Sequence, residues 1–273
     1  MIENNDNDNK AKKWDDLIKI LNKYNDSWLF RGQNRGIDLK PKLERIVENV
    51  RDKILNKMNI LEKEILKEFR RKYRDIDSDL VDKDTLYALS VIRHYEGPTR
   101  LLDASYSKFV AIFNALVNQP IKGDKNNDVF IWLINQDWCL EKVNNIFTAN
   151  FITNRNENRT EQSFIEMYMS EKPIKFVFIE NPYKINERLD VQQGVLLCPG
   201  DLTISFMDNL KAMDNWKDNN IKIILDFNED ERNKSLLELH RMNINRRSLY
   251  PGKEGFIKDL NEYVLRRIYQ NSQ

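Results

Sequence analysis

Two short strings hold the residue types best suited to chemistry: Phe30-Arg31-Gly32-Gln33, and His94-Tyr95-Glu96-Gly97-Pro98-Thr99-Arg100-Leu101-Leu102-Asp103. Both set charged or titratable groups among apolar neighbours, where they are costly to keep unless they bind, react or pair. Arg31, at a predicted strand end, can turn its planar fork to a phosphate or carboxylate, and Gly32 lets the backbone come close. The plain alternative for Arg31 is a buried ion pair, with Asp103 as its partner. His94, in the last turn of a predicted helix, can bond a ribose hydroxyl or act as acid or base near neutral pH. It can equally be a helix-end histidine favoured by the macrodipole. Thr99 can donate to a ligand oxygen and Arg100 can hold a phosphate. Asp103 can orient His94 or Arg31, or simply cap the helix that follows.

A third string, Arg188-Leu189-Asp190-Val191-Gln192-Gln193-Gly194, sets two amides at the entrance to an apolar strand. Amides there can fix a substrate through paired donor and acceptor bonds, or they can satisfy loop backbone. His94, Asp103, Gln192 and Gln193 are thus the candidate catalytic residues, and Arg31, Gly32, Thr99 and Arg100 the candidate ligand-binding ones. His240 lies on a charged helix and reads as surface. No Walker loop, G-x-G-x-x-G, G-x-S-x-G or His/Cys metal spacing occurs, so no metal site is expected.

The elements that must position these residues follow from periodicity. Trp14 to Tyr24 reads as a short amphipathic helix, and Ser27 to Arg31 as a strand that Gly32 ends. Leu43, Val47, Val50, Ile54, Met58, Leu61, Ile65 and Phe69 recur at helical spacing, which predicts one long amphipathic helix over 40–74. Asp84 is a candidate N-cap for a helix closed near Gly97-Pro98, and Ser105 or Ser107 for one ending before Pro120. Strands are expected at Asp128–Ile134, Ile174–Glu180, Val195–Cys198, Leu202–Phe206 and Ile221–Phe227. Helices are expected at Trp138–Phe147, Glu161–Met169, Lys234–Met242 and Gly255–Tyr269, with a polar loop at Asn154–Arg159. Strands scattered among helices without a βαβ beat point to an α+β fold.

The 273 residues carry 44 Lys and Arg against 43 Asp and Glu, so no global field draws the chain to nucleic acid. Locally, 40–74 holds 12 basic against 6 acidic residues and 232–271 holds 9 against 4, stretches that read as phosphate contacts or as solvated helix faces. Residues 1–12 read as a disordered acidic tail without the features of a secretory signal, and 13–271 as a single domain. No apolar run approaches the roughly 20 residues of a membrane helix. Two cysteines with no CxxC fit a reducing cytoplasm.

Together the strings resemble the FRG domain family, named for its Phe/Tyr-Arg-Gly motif. The resemblance rests on Phe30-Arg31-Gly32-Gln33, Leu39-Lys40-Pro41-Lys42-Leu43, His94-Tyr95, Pro98 to Asp103, Arg188 with Gln192-Gln193-Gly194, and Leu249-Tyr250-Pro251. It departs from the family at Glu96-Gly97-Pro98, usually Gly-Leu-Pro, and at Ala104-Ser105, usually Trp-Thr. The order of motifs is also similar to ADP-ribosyltransferases of the arginine-serine-glutamate type. That similarity implies a split mixed or antiparallel sheet flanked by helices, with Arg31 steadying NAD. Gly194 stands where that class has its catalytic glutamate, so either Glu187, Asp190 or Asp103 takes its role or the pocket binds without that reaction.

Three functions stand as alternatives, the first implied by the resemblance and the last by local charge. One is a bacterial enzyme of a toxin or phage-defence setting, with an NAD-like nucleotide as substrate and no required cofactor, performing ADP-ribosyl transfer or NAD cleavage. Another is a non-enzymatic sensor of a nucleotide or peptide that signals to a protein partner through helix 40–74. The third is nucleic-acid binding through the basic stretches.

Overall fold

A computed structural model describes residues 10–34, 38–50, 55–117, 129–147, 160–182 and 184–271. Strands β1 (Lys10–Ala11), β2 (Trp28–Gln33), β3 (Leu102–Ser105), β4 (Val129–Asn135), β5 (Val177–Glu180), β6 (Gly194–Pro199) and β7 (Asn220–Leu225) build one sheet in the order β1-β7-β4-β2-β3-β6-β5. The β1–β7 pair is parallel and the others are antiparallel, so the sheet is mixed. Around it stand helices α1 (Trp14–Leu21), α2 (Lys42–Glu48), α3 (Met58–Lys72), α4 (Ser78–Lys83), α5 (Thr85–His94), α6 (Lys108–Leu116), α7 (Gln136–Ile146) and α8 (Glu161–Tyr168). They continue with α9 (Glu187–Val191), α10 (Phe206–Lys211), α11 (Trp216–Asn219), α12 (Glu229–Arg241), α13 (Arg246–Leu249) and α14 (Lys253–Asn271).

Both faces of the sheet are covered, and strand alternation sorts side chains between two cores. Phe130, Trp132 and Ile134 join α5, α7 and α8 on one side, whereas Val129, Ile131 and Leu133 join α1 and α6 on the other. That is why β4 reads as an unbroken apolar run. Among the described residues, no helix is long and apolar enough to cross a membrane.

Several expected boundaries move. Lys10 and Ala11, placed in the expected tail, form β1, with Ala11 fully buried and paired with Leu225. The acidic tail through Asn9, Ile54, Asp128 and the polar loop at 154–159 lie outside the described residues. Gly32 does not end its strand. Its α-hydrogen faces α6, where a Cβ would sit 1.8 Å from the Ala111 carbonyl oxygen and 2.6 Å from the Ala115 nitrogen. The glycine lets β2 run under a closely packed helix.

The helix expected over 40–74 is instead α2, a 3₁₀ turn at Leu55–Lys57, and α3. Val50 is 48% exposed, so the apolar stripe is not buried continuously. Leu43, Val47 and Met58 close around Leu202 in a small core of their own. Leu202–Phe206 is not a strand, since the Ser205 side chain caps α10 by accepting from the Asp208 N–H. Strand β3 begins in the Leu101-Leu102-Asp103 string, whose charge hid the strand pattern, and continues to Ser105.

Helix α2 is pinned at three points. The Leu43 N–H donates to the Thr99 carbonyl at 3.4 Å, Lys42 Nζ donates to the Glu96 carbonyl, and buried Glu44 accepts from the Phe206 N–H at 2.8 Å. The other Glu44 oxygen, Oε1, is buried without a partner. Burial pushes this carboxyl up to about 7, against the opposing pull of the Phe206 bond.

Two tests follow from these contacts. Gly32→Ala should destabilise the fold by about 2–4 kcal/mol, read from the urea midpoint, because backbone of α6 must move; an unchanged midpoint would remove the close-approach account. For Glu44, the folded protein holds more protons than the unfolded chain between its ordinary 4.5 and about 7. Stability therefore declines as pH rises through that window. The melting temperature should fall more steeply from pH 5 to pH 8 in wild type than in Glu44→Gln, and parallel curves would contradict this.

Candidate functional site

The sheet opens at the seam between β2 and β3. Strand β2 pairs with β4 over six residues but with β3 only at Phe30↔Ser105. Beyond that bridge the ladder is replaced by a side chain, with Arg31 Nη1 donating to the Asp103 carbonyl at 2.5 Å. A cleft of about 150 Å³ lies here, lined by Arg31, Arg93, Asp103, Ser105, Asn114, Arg188, Gln192 and Tyr250, among others.

Three guanidinium groups share one carboxylate in this cleft. Arg93, from the last turn of α5, binds Asp103 with two bonds, Nε to Oδ1 at 3.2 Å and Nη2 to Oδ2 at 2.5 Å. Burial raises the Asp103 carboxyl, but Arg93, Arg31 and Arg188 outweigh it and hold the group below the usual carboxylate range. Burial pulls Arg31 down to about 10, with Asp103 opposing and Arg93 and Arg45 adding to the fall, so it remains charged at neutral pH. Its Nε is sealed from solvent and has no hydrogen-bond partner.

Helix α9 supplies Arg188, whose guanidinium carbon stands 4.7 Å from the Tyr250 ring centroid and whose Nη1 donates to the His94 carbonyl at 3.2 Å. Tyr250 donates from its hydroxyl to Asn114 Oδ1 at 2.9 Å. Gln192 is held by its own bonds, its Nε2 donating to the Leu249 carbonyl and its carbonyl accepting from Ser105 Oγ. These anchors make a rigid, positively charged cavity, the preorganised setting that favours an anion.

The expected site residues divide accordingly. Arg31, Gly32, Asp103 and Gln192 line the cleft, while His94, Thr99, Arg100 and Gln193 are not among its lining residues. His94 turns its Nδ1 to Asn186 Oδ1 at 3.2 Å, and Asn186 in turn caps α9. Thr99 is fully buried and serves α2 through its carbonyl. Arg100 is sealed against Glu62, with Nε and Nη2 on Oε2 at 2.6 and 2.5 Å and Nη1 on the Tyr168 carbonyl. Gln193 is exposed in a left-handed conformation with φ 46°.

Asp103 caps no helix, because it lies within β3 and Ser107 caps α6. Glu187 and Asp190 are exposed on α9, so of the three acids considered only Asp103 reaches the cleft. Arg93 went unmarked because it neighbours His94; the α5 face one residue earlier lines the cleft. Arg188 and Tyr250 stood within strings that carry the family resemblance but were given no role in the site, and Asn114 carried no local signal beyond its type.

Many charges of the two basic stretches are already paired or bonded. Arg71 and Lys72 meet Glu68, Arg70 donates to the Val81 carbonyl, Lys234 meets Asp230 and Arg246 meets Glu262. A smaller cavity of about 50 Å³, lined by Phe113, Leu236, Ile244 and Glu262 among others, lies between α6 and the C-terminal helices. Among the described residues, no group of three or more His, Cys, Asp or Glu is placed to hold a metal ion.

Residues 26–124 match the family model of the FRG domain. Arg31, Arg93, Asp103 and Asn114 fall inside the match, whereas Arg188, Gln192 and Tyr250 complete the cleft from outside it. No curated protein and no solved structure matches the chain.

Asp103→Asn should cost roughly 2–3 kcal/mol at pH 7, less than a fully sealed pair because both partners are part-exposed. A carboxyl held low when folded stabilises above its unfolded pKa and loses that contribution as pH falls through the folded value. The deficit measured by urea unfolding should thus shrink below about pH 4. A constant deficit across pH would refute the ion-pair assignment.

Proposed function

We propose that the cleft binds the phosphate of an NAD-like nucleotide, with Arg31, Arg93 and Arg188 as the anion clamp. The supporting observation is the convergence of three guanidinium groups on one cleft, with only Asp103 among its lining carboxylates. A phosphate there offsets the mutual repulsion of the arginines.

An ADP-ribosyltransferase-like reading extends this proposal. Asp103, kept ionised, would face cationic charge developing on a ribose as nicotinamide departs with the bonding pair, and water or an acceptor nucleophile would then close the new bond. Gly194, paired with Ser105 in the sheet, leaves that class's usual glutamate position without a carboxylate. The sensing alternative draws support from α2, whose Lys42 and Arg45 border the same basic surface.

Calorimetry separates the proposal from its rivals. NAD or ADP-ribose should bind wild type, and Arg31→Ala with unchanged circular dichroism should lose about 1.5–3 kcal/mol of affinity, as for a charge-assisted bond. Equal affinity in both proteins would defeat the proposal. Mass spectrometry after incubation with NAD then divides the two readings, products supporting transfer or cleavage and intact NAD supporting sensing.

A further inference from the structure

The cleft does not end at Arg31. A second, more open bay of about 440 Å³ shares Arg31, Arg93 and Arg188 with it and adds Lys42, Arg45 and Glu96. Its size falls within the roughly 300–1,000 Å³ of small-molecule sites. The deep cleft and the bay are thus two compartments of one basic channel, joined by three arginines that belong to both.

The bay is a built surface and not a chance row of lysines. Helix α2 carries Lys42 and Arg45 and is pinned through Leu43 and Lys42 to the 96–99 turn and through Glu44 to Phe206. Lys42 is fixed on the Glu96 carbonyl, where Glu96 takes a left-handed conformation (φ 59°) as α5 closes with the Gly97 N–H on the Ile92 carbonyl. The Arg45 side chain has neither a hydrogen bond nor an ion pair with any described residue, and partial burial and the nearby Arg93 lower its guanidinium. Two cations on the bay side meet one carboxylate, Glu96, so this compartment also lacks negative charge.

We infer that the α2 bay is a second anion subsite, with Arg45 as its specificity-determining residue, and that the ligand is a small molecule bearing at least two phosphoryl groups. This rests on the nucleotide reading of the deep cleft. One phosphoryl group sits against Arg31 and Arg188, the second reaches Arg45, and Arg93 stands between them. A monophosphate fills only the deep compartment and leaves Arg45 unpaired. The shared chemistry is that of a nucleoside diphosphate and of inorganic pyrophosphate.

Titration calorimetry of the full chain with ADP, AMP, pyrophosphate and phosphate tests the inference. ADP should bind wild type at least tenfold more tightly than AMP. Arg45→Gln, which removes no side-chain hydrogen bond or ion pair of the described residues, should erase that advantage and leave AMP affinity unchanged, and Arg45→Lys should restore part of it. Tight pyrophosphate binding equal to that of ADP identifies the phosphoryl pair as the recognised unit, whereas ADP well above pyrophosphate assigns the remainder to the nucleoside. AMP binding that depends on Arg31, with no ADP advantage or with no effect of Arg45→Gln, overturns the second subsite alone. Failure of all four probes to bind wild type overturns the deep-cleft reading and this inference together.

Discussion

The structure turns on an imbalance of charge at the β2–β3 seam. Arg31 occupies the place where a ladder should continue, and its guanidinium spans the gap to the Asp103 carbonyl. Arg93 engages the Asp103 side chain, and Arg188 approaches over Tyr250. Three cations held this close repel one another in a medium less polar than water, and one carboxylate does not neutralise them. The fold can keep them there because each is anchored from a different element: β2, α5 and α9. Such a surface is expensive in the free protein and favourable once an anion enters, which is the thermodynamic signature of a preorganised site.

Arg100 and Arg31 show how one residue type reaches opposite ends. Arg100 has a carboxylate partner, Glu62, that shares its burial and accepts from both its side chain and its backbone N–H. It is neutralised internally and holds α3 to the β3 segment. Arg31 has a backbone carbonyl and a distant share of Asp103, with one nitrogen left over. Burial is common to both, and the unsatisfied donor distinguishes them.

Much of this was legible in the sequence, and the failures have physical causes. Arg31, Asp103 and Gln192 stood out because charge or amide beside glycine and strand is costly without a purpose. The caps at Asp84 and Ser107 followed from their side chains and the apolar periods after them. His94 misled because helix rotation of about 100° per residue gives adjacent positions different neighbours, and here the preceding Arg93 faces the cleft. Thr99 and Arg100 misled because a polar row reads the same whether its partners are a ligand or Glu62, which lies far away in the chain. The long helix failed at Val50, where the spacing continues but burial does not. Gly32 read as an opening for a ligand, while its tightest neighbour is the backbone of α6. Arg188 and Tyr250 needed the fold itself, since only topology brings α9 and α13 to the β2–β3 seam.

The most direct test is a crystal of the full chain grown with ADP-ribose and examined at the seam. The account predicts a phosphoryl group against the Arg31 guanidinium and flanked by the Arg93 and Arg188 guanidinium groups. Ligand density confined to another surface, or an empty seam with Arg31 paired instead to a carboxylate of the protein, would contradict it.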